Sequence, residues 1–141
     1  MTAPVCVFHS RDGVNHCPDG FGAAVAFKLA YPDGEVVPGT YHDEPPVDAV
    51  RGRDAWVIDV TWDAEGTRAL ADAAASLTVI DHHKTADSHL DGFEHPNARV
   101  VIDRDKSGAV LAWEEFFPNA PTPLLFEHLQ DFDLWRFDLE D

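Results

Sequence analysis

Residues 55–83 read AWVIDVTWDAEGTRALADAAASLTVIDHH. Two short apolar runs, residues 55–60 and residues 77–80, predict buried β-strands. The alanine-rich segment between them, residues 64–75, has a strong helix propensity. A helix that connects two buried strands is typical of a β-α-β unit, in which the strands are parallel. This part of the sequence therefore predicts an α/β fold.

The rest of the chain shows the same alternation of apolar runs and helical segments. Further strands are predicted at residues 5–8, within 35–41, where Pro38 indicates an edge strand or a broken one, and at 99–102. Further helices are predicted at residues 20–30 with Asp19 as N-cap, at 107–117 with Ser107 as cap, and at 123–130. Residues 42–54 and 82–97 are predicted to be polar loops. We expect one domain over residues 1–141, a three-layer α/β/α fold whose mainly parallel five-stranded sheet has helices on both faces.

The charge balance limits what this protein can bind. Twenty-six acidic side chains against ten basic ones give a formal net charge of −16. Because the sequence has no basic stripe, binding to duplex nucleic acid is not expected. A ligand that carries phosphate would need bound metal to reverse the local field.

Sequence features also bear on the cellular compartment. No apolar run approaches the roughly 20 residues that a membrane span needs. The N-terminal residues lack the basic segment and the small-residue cleavage pattern of a secretory signal. Two cysteines do not make a disulfide framework. We therefore expect a cytoplasmic protein that does not contact a membrane.

Polar side chains follow three of the predicted strands. His9 ends the first strand, Asp59 ends the third, and Asp81, His82 and His83 end the fourth. Asp19 lies on the loop that leads into the first helix. Because the carboxyl ends of parallel strands meet at one edge of the sheet, these side chains should lie close together. Carboxylates and imidazoles without paired cysteines favour Mn²⁺, Mg²⁺ or Zn²⁺.

Five short motifs then suggest a family. They are VFH at residues 7–9, CPDGFGAA at 17–24, VID at 57–59, DHH at 81–83 and DFDLW at 131–135. In this order they resemble the motifs of the DHH phosphoesterase superfamily, and the resemblance covers nearly the whole chain.

The resemblance implies a site with two Mn²⁺ ions, with Mg²⁺ or Zn²⁺ as alternatives. His9 and Asp19 would bind metal, Asp59 would bridge the two ions, His82 would bind the second ion, and Asp131 or Asp133 would complete the site. Asp81 would be a ligand or would orient a histidine. His83 would contact the substrate phosphate or stabilise the leaving oxygen. Further phosphate contacts are expected from the nearest cations in the sequence, which are Lys84, Arg104 and Arg136.

The implied activity is hydrolysis of a small phosphate ester by a metal-activated water. A short single-stranded oligonucleotide, a nucleotide-like compound and a polyphosphate all remain open as substrates. Typical members carry a second, C-terminal domain that closes over the substrate. No such domain is visible in these 141 residues, so we expect a homo-oligomer or a partner chain that supplies the lid.

Two other functions remain open at this point. One is a metal-binding or nucleotide-binding module without turnover, because Cys17 stands where the family often has an aspartate. The other is a structural zinc domain that uses some of His9, His16, Cys17, His82 and His83. A Cys17 thiolate would favour zinc, whereas a neutral thiol would leave the first ion with fewer ligands.

Overall fold

The computed structural model describes residues 2–12 and 17–133, and the structural statements below refer to this part of the chain. Its strands are β1 (Val5–His9), β2 (Glu35–Gly39), β3 (Asp54–Ile58), β4 (Ser76–Asp81) and β5 (Ala98–Ile102). Its helices are α1 (Pro18–Ala30), α2 (Val47–Val50), α3 (Ala64–Ala73), α4 (Lys84–His89), α5 (Gly108–Phe116) and α6 (Leu124–Asp133).

The five strands form one sheet in the order β2-β1-β3-β4-β5, and every neighbouring pair is parallel. The chain builds the sheet outward from β1, first to β2 on one side and then through β3 to β5 on the other. The direction of building therefore changes between β1 and β3. In sheets of this kind, ligands bind in the crevice at the carboxyl ends of the strands where this reversal occurs.

Side chains that alternate along each strand supply two separate cores. Val5 and Val7 of β1 pack on one face of the sheet with buried residues of α2 and α3. Cys6 and Phe8 pack on the opposite face with buried residues of α1, α5 and α6. This arrangement confirms the predicted α/β/α fold with a five-stranded parallel sheet. It also confirms that β2, which contains Pro38, is an edge strand.

Several predicted boundaries are wrong. Residues 42–54 and 82–97, predicted to be loops, contain the short helices α2 and α4. Asp19 is not the N-cap of the first helix, because α1 begins at Pro18 and its N-cap is Cys17. The last helix continues past residue 130 to Asp133. Ser107 does cap α5 as predicted, since its hydroxyl accepts the N–H of Val110.

Two glycines allow helices to approach the carboxyl edge of the sheet closely. A Cβ at Gly20 would lie 2.4 Å from the carbonyl oxygen of His9, so α1 can pass over the end of β1 only with glycine there. A Cβ at Gly108 would lie 2.8 Å from Oδ1 of Asp59. The first turns of α1 and α5 are therefore placed directly against the ends of β1 and β3. Among the described helices, none has the length and apolar character required to cross a membrane.

Candidate metal centre

Three carboxylates are buried together at the carboxyl edge of the sheet. Asp59 directly follows β3, Asp81 is the last residue of β4, and Asp19 lies in the first turn of α1. Each of these residues is no more than 2% exposed. Buried charges of one sign are costly unless they are paired with cations or coordinate a metal ion. The three carboxylates therefore need cationic side chains or metal ions close to them.

Asp59 lies at the centre of this group. Its Oδ1 atom lies 3.0 Å from Nε2 of His82, and its Oδ2 atom lies 3.5 Å from Nδ1 of His9. The Cys17 thiol donates to the same Oδ2 atom over 3.8 Å. The two carboxylate oxygens thus face two different sets of metal-ligand atoms.

These two sets share only Asp59. One contains His9, Cys17 and Asp59, and the other contains Asp59, Asp81, His82 and His83. Within each set, one ligand atom from every residue lies within 4.8 Å of the others. Asp59 is the residue that the two sets have in common, and its role as a bridging ligand stays a prediction.

The backbone of Asp59 is held in an uncommon conformation. Its φ angle is +68°, in the left-handed region that residues other than glycine rarely adopt. Aspartate and asparagine tolerate this region better than other side chains do. Strained backbone of this kind clusters at functional sites, where the surrounding structure holds it in place.

His9 has a buried nitrogen without a hydrogen-bond partner. Its Nδ1 atom is shielded from solvent and makes no hydrogen bond, although Oδ2 of Asp59 lies 3.5 Å away. The neighbouring Asp59 and Cys17 side chains raise the pKa of His9 to about 10. A buried nitrogen that faces a carboxylate outside hydrogen-bond geometry fits a metal ion between the two groups.

Asp19 joins two helices at the site. Its carboxylate accepts the backbone N–H of Gly108 over 2.8 Å and that of Ala109 over 2.9 Å, at the start of α5. Its Oδ2 atom also lies 3.3 Å from Nε2 of His82. Burial would raise the pKa of Asp19, but the hydrogen bonds from His82 and Ala109 outweigh it, and the pKa is lowered.

The capping prediction for Asp19 was thus wrong in a specific way. The residue caps α5 from a distance of 89 positions along the chain, instead of capping its own helix. An anionic side chain is favourable there because the N-terminus of a helix carries positive partial charge. The Asp19 carboxylate also lies beside His82, which belongs to the ligand set that contains Asp81 and His83.

Two buried carboxylates favour the protonated ring of His82. Burial lowers the pKa of its ring, but the contacts with Asp19 and Asp59 outweigh burial and raise this pKa to about 11. For Asp59 the balance is opposite, because burial and the nearby Asp19 and Asp81 carboxylates raise its pKa. Divalent cations would satisfy these carboxylates without requiring protons on them.

Asp81 orients His83 by direct contact. Its Oδ1 atom accepts the backbone N–H of His82 over 2.7 Å and lies 2.7 Å from Nδ1 of His83. Its Oδ2 atom accepts the hydroxyl of Thr61 over 2.6 Å. The Asp81 carboxylate raises the pKa of His83, which favours the protonated ring. Since Nδ1 is engaged, Nε2 is the ring nitrogen that remains to act on a ligand.

A cavity of about 280 Å³, which we call the site cavity, opens beside these residues. It is lined by His9, Tyr41, Asp59, Val60, Thr61, Asp81, His83, Thr85 and His89. None of these lining residues is lysine or arginine. A phosphate group in the site cavity would therefore depend on metal ions and histidines for its positive contacts.

The remaining predicted site residues lie elsewhere. Lys84 and Arg104 are exposed and do not line the site cavity. Asp131 is buried on α6, next to Gln130, whose side chain accepts the N–H of Ser107 at the start of α5. The Asp133 side chain and Arg136 lie outside the described part of the chain, as does His16. Their predicted roles stay predictions.

Five residues that line the site cavity lie outside the motifs, namely Tyr41, Val60, Thr61, Thr85 and His89. Thr61 follows Asp59 by two positions, and its buried hydroxyl contacts Asp81. Tyr41 follows β2, and His89 ends α4. Thr61 directly follows the apolar run 55–60 from which β3 was predicted, so its position could have signalled its role. Tyr41 ends the segment 35–41, in which a strand was predicted, but no motif singled it out. His89 lies in a stretch that was predicted to be a polar loop, where the sequence offers no comparable signal.

Comparisons with known proteins give one distant relative. No protein-family model matches the chain, and no solved structure matches it. An uncharacterized protein of Acanthamoeba polyphaga mimivirus is 29% identical over an alignment of 137 positions, and the match covers 86% of this chain and 32% of the viral protein. The chain thus spans about a third of the length of that relative. This similarity assigns no activity, so function has to be argued from the site.

Proposed function

We propose that this protein is a divalent-metal-dependent phosphoesterase of the DHH superfamily, which hydrolyses a small phosphate ester. The observation that carries the proposal is the buried Asp59 carboxylate, whose two oxygens face two sets of metal-ligand atoms at the carboxyl edge of the sheet. Two-metal sites that share a carboxylate are suited to displacement at phosphorus. The DHH motif and the other four motifs support the same assignment.

The donor atoms of the site fit divalent metal. His9, Cys17 and Asp59 would hold one ion, while Asp59 and His82 would hold the other, with Asp19 as a further carboxylate 3.3 Å from Nε2 of His82. Carboxylate and imidazole donors suit Mn²⁺ or Mg²⁺, and the thiol of Cys17 would shift the first position toward Zn²⁺. When bound, the ions supply an activated water and charge stabilisation for the transferred phosphoryl group.

The side chains of the chain itself supply orientation and proton transfer. Asp81 fixes Nδ1 of His83 and favours the protonated ring, so His83 can donate a hydrogen bond or a proton from Nε2. His83 is half exposed and lines the site cavity, where the leaving oxygen of an ester would lie. The hydroxyl of Thr61 holds the second oxygen of Asp81 and so keeps this pair in position.

The net charge of the protein is consistent with a site in which metal ions supply the positive charge and side chains supply orientation and proton transfer. With a formal net charge of −16 the protein repels phosphate at long range, and the residues that line the site cavity include no lysine or arginine. Bound cations would reverse this field locally. Without metal, the same cavity would disfavour a phosphate ester.

Two further features belong to the proposal. His83 lines the site cavity and its side chain is half exposed, and we propose that a second copy of the chain or a partner chain supplies the lid over the substrate. The thiols of Cys6 and Cys17 are free, which is typical of a reducing compartment and supports a cytoplasmic location.

A direct test combines metal content with turnover. The protein would be loaded with Mn²⁺, its metal measured by elemental analysis, and hydrolysis of p-nitrophenyl phosphate and bis(p-nitrophenyl) phosphate followed. Asp59→Asn should lose metal and turnover together, because the amide cannot bridge two cations. Asp54→Asn is the matched control, since Asp54 lies at the opposite end of the same strand, where its exposed carboxylate accepts the hydroxyl of Ser76.

The possible results separate the three functions. Two bound ions, with turnover that Asp59→Asn abolishes and Asp54→Asn retains, would support the phosphoesterase. Bound metal without turnover of either ester would replace it with a metal-binding module. One tightly held zinc ion, whose removal by a chelator unfolds the protein, would indicate a structural zinc domain.

A further inference from the structure

A second and larger cavity adjoins the site cavity. This outer cavity has a volume of about 610 Å³ and shares the lining residues Tyr41 and His89 with the site cavity. It lies between the segment that follows β2 and the beginning of α3. Because Tyr41 and His89 border both cavities, the outer cavity is the neighbouring space for a ligand whose phosphate would occupy the site cavity.

The lining of the outer cavity is strongly acidic. Asp43, Glu44, Asp63 and Glu65 are all exposed and all line it. None of its lining residues is lysine or arginine, so its only side chains able to carry positive charge are His42 and His89. A second phosphate of the substrate would meet four carboxylates there. Neutral or cationic groups with hydrogen-bond donors suit this lining better, because carboxylates accept hydrogen bonds.

Aromatic side chains give the outer cavity flat surfaces. Trp62 is buried, and its Nε1–H donates to the carbonyl oxygen of Asp43 over 2.8 Å, which fixes the indole in the wall. Tyr41 is 55% exposed at the boundary between the two cavities. Its ring lies 4.1 Å from the ring of His42, with an angle of 36° between the planes. An exposed, supported aromatic ring is a surface on which a nucleobase can stack.

We infer that the outer cavity binds the nucleoside part of a nucleoside monophosphate whose single phosphate occupies the site cavity. The base stacks on Tyr41, and the carboxylates accept hydrogen bonds from sugar hydroxyls or from amino groups of the base. Polyphosphates and oligonucleotides are disfavoured, because their next phosphate would lie among Asp43, Glu44, Asp63 and Glu65. This inference rests on the proposed phosphoesterase function and narrows its substrate class.

The charge argument is tested with adenosine monophosphate and adenosine diphosphate. The measured quantity is the ratio of their kcat/KM values with the Mn²⁺-loaded protein. The double variant Glu44→Lys/Glu65→Lys should shift this ratio about tenfold toward the diphosphate, because repulsion of the second phosphate becomes attraction. Added NaCl should reduce the shift, since these side chains are exposed. Comparing ratios removes the intrinsic difference in reactivity between the two compounds.

A matched control changes the same net charge elsewhere. Asp33 and Glu127 are exposed and line neither cavity, so Asp33→Lys/Glu127→Lys should leave the ratio at its wild-type value. An equal shift in this control would overturn the inference, because it would mean that overall charge and not the outer cavity sets the preference.

The stacking argument is tested with Tyr41→Ala. This variant should lower kcat/KM for adenosine monophosphate about tenfold, in line with the usual strength of base stacking on an aromatic ring. It should leave kcat/KM for ribose phosphate, which has no base, within about twofold of wild type. Equal losses for both compounds would overturn the stacking role.

Failure of the inference differs from failure of the proposed function. If wild-type protein hydrolyses p-nitrophenyl phosphate, but Glu44→Lys/Glu65→Lys leaves the nucleotide ratio unchanged and Tyr41→Ala affects adenosine monophosphate and ribose phosphate equally, only the substrate class is wrong. If the wild-type protein hydrolyses none of these esters with Mn²⁺ bound, the phosphoesterase proposal itself is wrong, and the inference is withdrawn with it.

Discussion

The carboxylate of Asp19, in the first turn of α1, accepts the backbone N–H of Gly108 at the start of α5 over 2.8 Å. The same carboxylate accepts the N–H of Ala109. One side chain thus satisfies two backbone donors of a helix that begins beside Asp59. The start of α5 would otherwise leave these buried N–H groups without partners, which is costly in a protein interior. Asp19 therefore stabilises the site whether or not it also binds metal.

Asp19→Asn should destabilise the protein even when metal is removed. The amide offers one acceptor oxygen in place of two, and its NH₂ group would face an N–H of α5. We expect the free energy of unfolding in the presence of a chelator to fall by about 1–3 kcal/mol. Urea unfolding measures this change. Asp48→Asn is the control, because the Asp48 side chain is 97% exposed, and an Asp19→Asn protein as stable as that control would contradict the helix-joining role.

Gly108→Ala should disturb the metal centre by contact. The added methyl group would lie 2.8 Å from Oδ1 of Asp59 and 3.0 Å from Oδ2 of Asp19, so both carboxylates would have to move. We expect the affinity for Mn²⁺ to fall by about 10-fold to 100-fold, as measured by titration calorimetry.

Gly22→Ala separates packing from ligand geometry. Its methyl group would meet Cβ of Ala109 at 3.0 Å and Cδ1 of Leu129 at 3.2 Å, away from the carboxylates. This variant should lose stability but retain Mn²⁺ affinity. If Gly108→Ala and Gly22→Ala lose Mn²⁺ affinity equally, the cause is looser packing between α1 and α5 and not direct displacement of Asp59.

Much of the fold could be predicted because strands buried on both faces are continuous apolar runs. β3 and β4 were predicted to within two residues at each end, since alternate side chains of both strands pack into the two cores. α4 could not be predicted. It reads KTADSH and buries only Ala86, so it has no apolar periodicity to reveal it.

The packing of α1 shows a different limit. Its spacing of apolar residues predicts a helix correctly, but Phe21 and Leu29 are more than half exposed. The side that packs on the sheet and on α5 consists mostly of glycine and alanine, together with Phe27. Small residues allow α1 and α5 to approach each other closely. Glycine and alanine contribute little to a hydrophobicity pattern, so the pattern does not reveal which side of α1 is buried.

The candidate site could be predicted where it follows the ends of strands. His9, Asp59 and Asp81 come together because parallel strands place their carboxyl ends at one edge. The contact of Asp19 with α5 could not be predicted, since it joins residues 89 positions apart and depends on helix packing. Tyr41 was missed for a different reason, because it follows the edge strand β2 and lies outside the motifs.

Cys17→Ser should change the spectrum of the cobalt-loaded protein. Sγ of Cys17 lies 3.8 Å from Oδ2 of Asp59 and belongs to the ligand set that contains His9. A thiolate bound to Co²⁺ gives an intense near-ultraviolet charge-transfer band, and this band should be lost in the variant. Cys6→Ala is the control, because Cys6 is fully buried in the core, where burial raises the pKa of its thiol. A spectrum without such a band in the wild-type protein would mean that Cys17 is only a capping residue.

His83→Ala should lower turnover without removing metal. Nδ1 of His83 contacts Asp81, and the half-exposed ring lines the site cavity, so its loss removes a donor to the ester and not a buried ligand. We expect kcat to fall by about 10²–10⁴-fold, the range for a lost proton donor. Elemental analysis should still find the wild-type metal content. If one ion is lost instead, His83 is a metal ligand and Asp81 serves to hold it in that position.

The stability of the chelator-treated protein should depend on pH through His82. Contacts with Asp19 and Asp59 raise the pKa of this ring from 6.5 to about 11 in the folded protein. A group whose pKa is raised by folding stabilises the folded protein. This stabilisation is fully present below pH 6.5, the ordinary pKa of the ring, and is lost as the pH rises toward 11. We therefore expect His82 to lower the free energy of unfolding by about 1.4 kcal/mol for each pH unit between about pH 7 and pH 10. His9, whose pKa is raised to about 10, adds to the fall over the same range. In His82→Gln this slope should be smaller, because only the contributions of the other histidines of the site remain. Equal slopes in the wild-type protein and in His82→Gln would mean that the ring is neutral in the folded state, contrary to this expectation.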